Sequence, residues 1–164
     1  MRSLVVFYSR TGTTKKIAEA ISGALSCDME EIFDTKNRAG LLGFLRSGME
    51  ATFNMTTTLK GIKNDPAPYD IVVVGTPIWS HKISSPIRTY LYQNKGNLKN
   101  VALFCTYGSA VADTIADIVE AACGKRPLDC LKVTMDEVME GAYREKARAF
   151  ADGLSLRGRG PIAL

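Results

Sequence analysis

Short, uninterrupted runs of apolar residues are the feature of this sequence that most limits its fold. Residues 4–8, 71–74 and 101–106 are β-branched, aliphatic and aromatic for most of their length, without the alternation of a half-exposed strand. Such runs are typical of strands buried on both faces, as in a parallel sheet. Residues 28–33 are a weaker strand candidate, and residues 128–134 complete the set. We therefore predict five strands, with the first in a central position.

Amphipathic segments between these runs predict the helices. One apolar stripe directly after the first strand is formed by Ile17, Ala18, Ile21 and Leu25. Pro86 opens a short helix after the third strand, because proline is tolerated in a first helical turn. Later helices are predicted over residues 110–122 and, as one continuous helix, over residues 138–154.

The longest connection, residues 34–69, contains the predicted second crossover helix. Its apolar positions are Leu41, Leu42, Leu45, Met49 and Phe53. Between Lys36 and Lys63, five basic residues accompany a single acid, Glu50. This basic segment fits either a helix packed on the sheet with solvated flanks or a lid or docking surface beside the active site.

The alternation of strands and helices predicts an α/β fold, an open parallel sheet with helices on both faces. We assign residues 1–156 to one domain and residues 157–164 to a loose C-terminal tail. The net charge of +4, from 21 Lys and Arg against 17 Asp and Glu, is too small and too dispersed to indicate a nucleic-acid partner. Since no apolar run approaches the roughly 18 residues of a membrane helix, we expect no membrane span.

Cysteine usage bears on metal binding and on location. Cys27, Cys105, Cys123 and Cys130 show no metal-ligand spacing with the single histidine, His81. We therefore expect no metal site. Reduced thiols in the cytoplasm are the simplest interpretation, and a Cys123–Cys130 disulfide is the alternative.

The first candidate binding loop follows the first strand and reads Ser9, Arg10, Thr11, Gly12, Thr13 and Thr14. Ligands of open parallel sheets bind at the carboxyl ends of the strands. Four hydroxyls in six residues, a glycine at the turn and the unpaired N–H groups of a helix N-terminus suit a phosphate group. Arg10, Lys15 and Lys16 would add attraction. Helix capping by serine and threonine is the alternative interpretation. Walker and dinucleotide fingerprints are missing here, which disfavours nucleoside triphosphates and NAD.

Two later loops supply aromatic side chains at the same edge of the predicted sheet. The loop over residues 75–82 contains Trp79, the only tryptophan, which is available to stack on a planar ligand or else belongs to the core. His81 in this loop is either solvated or a hydrogen-bond donor to substrate. The loop of Thr106, Tyr107 and Gly108 offers a second ring, and its alternative interpretation is a plain turn into the next helix.

With these three loops, the chain resembles the flavodoxin family, whose phosphate loop has the pattern T/S-x-T-G-x-T that residues 9–14 match. The resemblance implies a flavodoxin-like three-layer sandwich with strand order 2-1-3-4-5 and bound FMN. It also implies that the later loops enclose the isoalloxazine ring, with Pro77, Ile78 and Trp79 on one face and Thr106, Tyr107 and Gly108 on the other.

The chain departs from electron-carrying flavodoxins in its charge. Those carriers are typically strongly acidic, whereas this chain is mildly basic and has no acid between Cys105 and Ala112. It looks closer to the broader group of FMN-binding oxidoreductases that share the G-[TS]-P-[IV]-W loop. We therefore expect an oxidoreductase that passes electrons from NAD(P)H or a protein reductase to an acceptor. The alternatives are a one-electron carrier and a non-redox module that binds another phosphorylated ligand.

Overall fold

The computed structural model describes residues 1–35, 40–52, 55–108 and 113–157. Its strands are β1 Ser3–Phe7, β2 Asp28–Glu31, β3 Ile71–Trp79, β4 Lys82–Ile83, β5 Val101–Tyr107 and β6 Cys130–Thr134. Its helices are α1 Thr13–Leu25, α2 Gly40–Thr52, α3 Ser85–Asn94, α4 Ile115–Cys123, α5 Met135–Glu140 and α6 Tyr143–Arg157. Phe53, part of the predicted helix over residues 110–122 and residues 158–164 of the predicted tail lie outside the described residues.

Five parallel strands form the sheet in the order β2-β1-β3-β5-β6. The order 2-1-3-4-5 implied by the family resemblance is therefore confirmed, since the short β4 only pairs antiparallel with the end of β3. The register aligns Phe7 of β1 with Gly75 of β3 and Gly75 with Phe104 of β5. The Phe104 ring lies directly on the Gly75 backbone, where a Cβ atom would stand 2.0 Å from Cζ of the ring.

Helices cover both faces of the sheet, which gives the three predicted layers. Alternate residues of β1 point to opposite faces, so Leu4 and Val6 belong to one buried cluster and Val5 and Phe7 to the other. The first cluster includes side chains of α3 and α4, and the second includes side chains of α1 and α6. The uninterrupted apolar runs are explained by this burial of both faces.

The predicted final helix over residues 138–154 is wrong as a single element. Gly141 adopts a left-handed conformation with φ 82° and ends α5, and α6 begins at Tyr143. Thr134 and Glu137 form a capping box at the start of α5, which places the helix start earlier than predicted.

The apolar stripe of α2 faces away from the sheet. Its exposed side chains are Leu41, Leu42, Leu45 and Met49. The inner side carries Gly43, Ser47 and Glu50, which are buried, and the Ser47 hydroxyl donates to the Gly43 carbonyl at 2.7 Å. The helix does pack beside β3 and β4, as the first interpretation has it, but the apolar stripe is not its packing face. Among the described residues, none of the helices is long and apolar enough to cross a membrane.

Candidate functional site

The three predicted loops converge on one cleft at the carboxyl edge of the sheet. Ten of the twelve predicted site residues line it: Arg10, Thr11, Thr13, Thr14, Pro77, Ile78, Trp79, Thr106, Tyr107 and Gly108. Met135, at the start of α5, is the one lining residue that we did not predict. The cleft therefore combines hydroxyl side chains from one loop with aromatic rings from the other two.

Ser9 and Gly12 shape the first loop and do not line the cleft. The Ser9 hydroxyl oxygen accepts hydrogen bonds from the N–H groups of Gly12 at 3.1 Å and Lys15 at 3.3 Å. Gly12 is the N-cap of α1 with φ 87°, a left-handed conformation that costs other residues free energy. Together these two residues hold the turn from β1 into α1.

The start of α1 presents polar groups that are free to bind an anion. In the described part of the chain, the N–H groups of Thr13 and Thr14 have no hydrogen-bond partner, and α1 has no side-chain cap. The hydroxyls of Thr11 and Thr13 are exposed and lie 3.2 Å apart. These donors, together with the positive end of the helix dipole, suit a phosphate group. Helix capping explains only part of this loop. Ser9 accepts hydrogen bonds from the N–H groups of Gly12 and Lys15, but not from those of Thr13 and Thr14.

A buried hydrogen bond joins the first loop to the third. The hydroxyls of Thr14 and Thr106 lie 2.9 Å apart, and both residues are buried. Neither hydroxyl has another partner among the described residues. Thr14 therefore fixes the start of α1 against the end of β5, which is also where Tyr107 enters the cleft.

Trp79 does not lie in a loop, contrary to the sequence expectation. It ends β3 and pairs with Lys82 in a hairpin, Ser80 and His81 forming the turn with φ 49° and 60°. Its ring contacts Tyr8 edge to face, with centroids 5.7 Å apart. Only 8% of Trp79 is exposed, and it belongs to the same buried cluster as the side chains of α3 and α4. It is therefore both a core residue and part of the cleft wall.

His81 is exposed at the tip of this hairpin, and it does not line the cleft. The neighbouring Ser80 hydroxyl donates to the Gly48 carbonyl of α2 at 3.3 Å. This contact anchors the hairpin tip to the second crossover helix. The tip position favours the interpretation of His81 as a solvated side chain.

The charge around the cleft is smaller than the sequence suggests. Lys15 forms an ion pair with Glu31 at 2.9 Å, which raises the pKa of Lys15. Lys16 lines a groove between α1 and α6, and Lys82 lines a separate cleft near α3 and α4. Arg10 is thus the charged residue of the described lining, which contains no acid.

The described residues form neither a metal-binding cluster nor a disulfide. No group of histidine, cysteine and acidic side chains in these ranges could hold a metal ion. All four cysteines are free thiols, so the alternative of a Cys123–Cys130 disulfide is not realised in this structure.

Solved structures share this fold at low sequence identity. A flavoprotein from Lactobacillus acidophilus NCFM in complex with FMN is 23% identical, with TM-score 0.68, over 85% of this chain and 97% of that one. A protein from Bacteroides uniformis ATCC 8492 is 23% identical, with TM-score 0.74, over 92% and 97% of the two chains. Oxidised Flavodoxin 2 from Bacillus cereus is 19% identical, with TM-score 0.59, over 96% and 99%. At these identities the likeness establishes the fold.

Comparison of the sequence itself gives the family. A search of curated proteins finds no match. The sequence profile of the family described as Flavodoxin, in contrast, matches residues 2–141, nearly the whole of the chain. The match includes all three loops of the cleft. The chain belongs to the flavodoxin family.

Proposed function

We propose that this protein binds FMN in the cleft and acts as an oxidoreductase. The observation that carries the proposal is the convergence of a phosphate-suited helix start and two aromatic residues on one cleft. Membership of the flavodoxin family and the fold shared with an FMN-bound flavoprotein support the choice of ligand. A single helix start also suits the terminal phosphate of FMN better than the pyrophosphate of FAD.

The first loop would hold the phosphate. The N–H groups of Thr13 and Thr14 and the hydroxyls of Thr11 and Thr13 are the donors, and Arg10 adds positive charge. Each hydrogen bond to a charged oxygen is worth about 1.5–3 kcal/mol. Ser9 and Gly12 act indirectly by holding the loop in shape.

The other walls would bind the ring system. Trp79 with Pro77 and Ile78 forms one wall of the cleft, and Tyr107 with its neighbours forms another. Burial against Tyr8 keeps the Trp79 ring in one orientation, so little side-chain entropy is lost on binding. A bound flavin would supply hydride or electron transfer, while these residues orient it and exclude water.

We favour an enzyme that accepts electrons from NAD(P)H or a protein reductase and passes them to an acceptor. The described lining of the cleft has no carboxylate, so negative charge on a reduced flavin would meet less repulsion than in an acidic carrier. The mildly basic surface also differs from the acidic surface of electron carriers. We further propose a cytoplasmic location, which the four free thiols support.

Cofactor analysis tests the FMN proposal directly. The purified protein should be yellow, and chromatography of the heat-released cofactor should identify FMN. Thr13→Val should weaken FMN binding about tenfold or more by removing a donor to the phosphate, whereas Ser22→Ala, on the opposite end of α1, should leave it unchanged. Release of FAD would contradict the phosphate assignment. Colourless protein that ignores added FMN would favour the non-redox module.

Turnover separates the enzyme from the carrier. With NADH, NADPH or a protein reductase as the electron source, the protein should reduce a quinone or a ferric acceptor catalytically, and photoreduction should proceed in one two-electron phase. Accumulation of a one-electron-reduced form, together with no catalytic reduction of either acceptor, would instead identify a carrier. Both outcomes leave the FMN assignment intact.

A further inference from the structure

A second cleft, which we call the Arg88 cleft, lies between α3, α4 and the β3–β4 hairpin. It has a volume of about 340 Å³, within the range of small-molecule pockets. Its lining consists of Thr56, Lys82, Arg88, Tyr92, Ile118, Ala121 and Ala122. None of these residues lines the proposed flavin cleft. The hairpin connects the two clefts, because Lys82 of the second pairs with Trp79 of the first.

Arg88 is half-buried in this cleft and has few polar contacts. Its Nε atom is buried without a hydrogen-bond partner among the described residues, and its Nη2 atom donates to the Ile83 carbonyl at 3.5 Å, the long limit of such bonds. No carboxylate of the described residues pairs with it, and residues 36–39, 53–54 and 109–112 contain no acid. Burial lowers the pKa of Arg88, which reflects the uncompensated charge.

An unpaired, partly desolvated guanidinium is costly to keep without an anionic partner. Charged groups away from water are usually paired, because the loss of hydration must be compensated. Arg88 lines a cleft whose described lining contains no acidic residue, and Lys82 contributes a second basic side chain to the wall. The guanidinium fork matches the two oxygens of a carboxylate in a planar, bidentate arrangement.

Apart from Thr56, the rest of the described wall is aliphatic or aromatic. Ile118, Ala121 and Ala122 are spaced i, i+3 and i+4 and so share one face of α4. The Tyr92 ring, on α3, is 59% exposed and forms part of the same wall. An anion with a flat apolar body would therefore bury that body against α4 and Tyr92. A fully hydrated phosphate would leave this surface uncovered.

We propose that the Arg88 cleft is a binding site for a small organic acid, a monocarboxylate with an aromatic or otherwise flat apolar body. Arg88 binds the carboxylate, and the α4 face with Tyr92 receives the body. The site is independent of the proposed flavin cleft, so its occupancy can be measured whether or not the protein carries FMN.

Titration with benzoate at constant ionic strength tests this site, followed by calorimetry and by the amide NMR shifts of the full chain as purified. Binding should saturate, with the largest shifts in α3, α4 and the hairpin. Arg88→Met should weaken it about tenfold or more, the scale of a lost hydrogen bond to a charged group. Arg88→Lys, which keeps the charge without the fork, should weaken it less. Lys125→Met, which removes one exposed charge beyond the end of α4, is the matched control and should change affinity less than about twofold.

Two further measurements test the roles of the ligand charge and of the cleft wall. Benzamide, with the same ring and no charge, should bind at least about tenfold more weakly. Ala121→Glu introduces a carboxylate into the cleft wall and should abolish benzoate binding. Because position 121 is exposed, this variant should fold, and it tests the site even if Arg88→Met is unfolded. Equal binding of benzoate and benzamide, undiminished binding to Arg88→Met, or no binding at all would overturn the proposal. Competition by inorganic phosphate at equal affinity would overturn the carboxylate assignment.

Discussion

The hydrogen bond between Thr14 and Thr106 connects two walls of the proposed flavin cleft, and its contribution to the free energy of unfolding can be measured. The two hydroxyls are 2.9 Å apart, in residues that are 1% and 3% exposed. Thr14→Val preserves the shape of the side chain and leaves the Thr106 hydroxyl buried without a partner. The cost of such an orphaned group is about 1–3 kcal/mol. In a domain of this size, about 2 kcal/mol lowers the melting temperature by about 4–8 °C.

The double variant is the sharper experiment. Thr106→Val alone should cost a similar amount, because it orphans the Thr14 hydroxyl instead. When both residues are valine, no buried hydroxyl is left unpaired, and replacing both partners with groups of the same shape is nearly neutral. The double-mutant cycle should therefore show a coupling free energy close to the sum of the two single losses, at least about 2 kcal/mol.

Urea unfolding of the flavin-free protein measures these free energies without a contribution from ligand binding. Thr11→Val is a matched control, because it removes one hydroxyl of the exposed pair with Thr13, and it should cost less than about 0.5 kcal/mol. Additive losses, with the double variant as unstable as the sum of the single variants, would refute the reasoning that the buried pair joins α1 to β5.

Three other expectations follow from the site and its surroundings. Gly12→Ala should lower the free energy of unfolding by about 1–2 kcal/mol and weaken FMN binding, since φ is 87° although there is space for a Cβ atom. Trp79→Ala should cost about 3–5 kcal/mol of stability on urea unfolding, whereas Trp79→Phe should fold well and still bind flavin more weakly in a fluorescence titration. Hydrogen bonds from Lys146 and the Thr134 N–H lower the pKa of Glu137. The ionised Glu137 therefore stabilises the folded protein above about pH 4.3, and this contribution is lost as the pH falls. In urea unfolding, Glu137→Gln should lose less stability than the unchanged protein between neutral and acid pH.

The central strands and the cleft could be predicted because their signals are local, whereas the strand order was implied by the family resemblance. Buried strands on both faces leave uninterrupted apolar runs, and parallel strands bring the loops after β1, β3 and β5 to one edge. Met135 had a usable signal that we overlooked, since it follows β6, the sheet neighbour of β5. Gly141 was likewise a helix-ending signal within an otherwise helical pattern.

Other features could not be predicted, because they depend on contacts distant in sequence. The hairpin after Trp79 turns at Ser80 and His81, both with positive φ, where Asn-Gly or Gly would be the recognisable signal. The ion pair of Lys15 with Glu31 depends on the pairing of β1 with β2. The outward stripe of α2 has the periodicity of a core-facing helix, and periodicity alone does not say which side meets the sheet.

The close approach of Phe104 to Gly75 makes these two positions a single unit of sequence variation. The ring fills the volume that a side chain at position 75 would need, so alanine there would force the Phe104 ring, and with it β5, away from β3. Thr76, Pro77, Cys105 and Thr106 directly follow this pair and continue the same register toward the cleft. A variant library should therefore change positions 75 and 104 together, exchanging a larger residue at the first for a smaller one at the second. Variants that carry a larger residue at position 75 and retain Phe104 should be lost from any selection that requires an intact cleft.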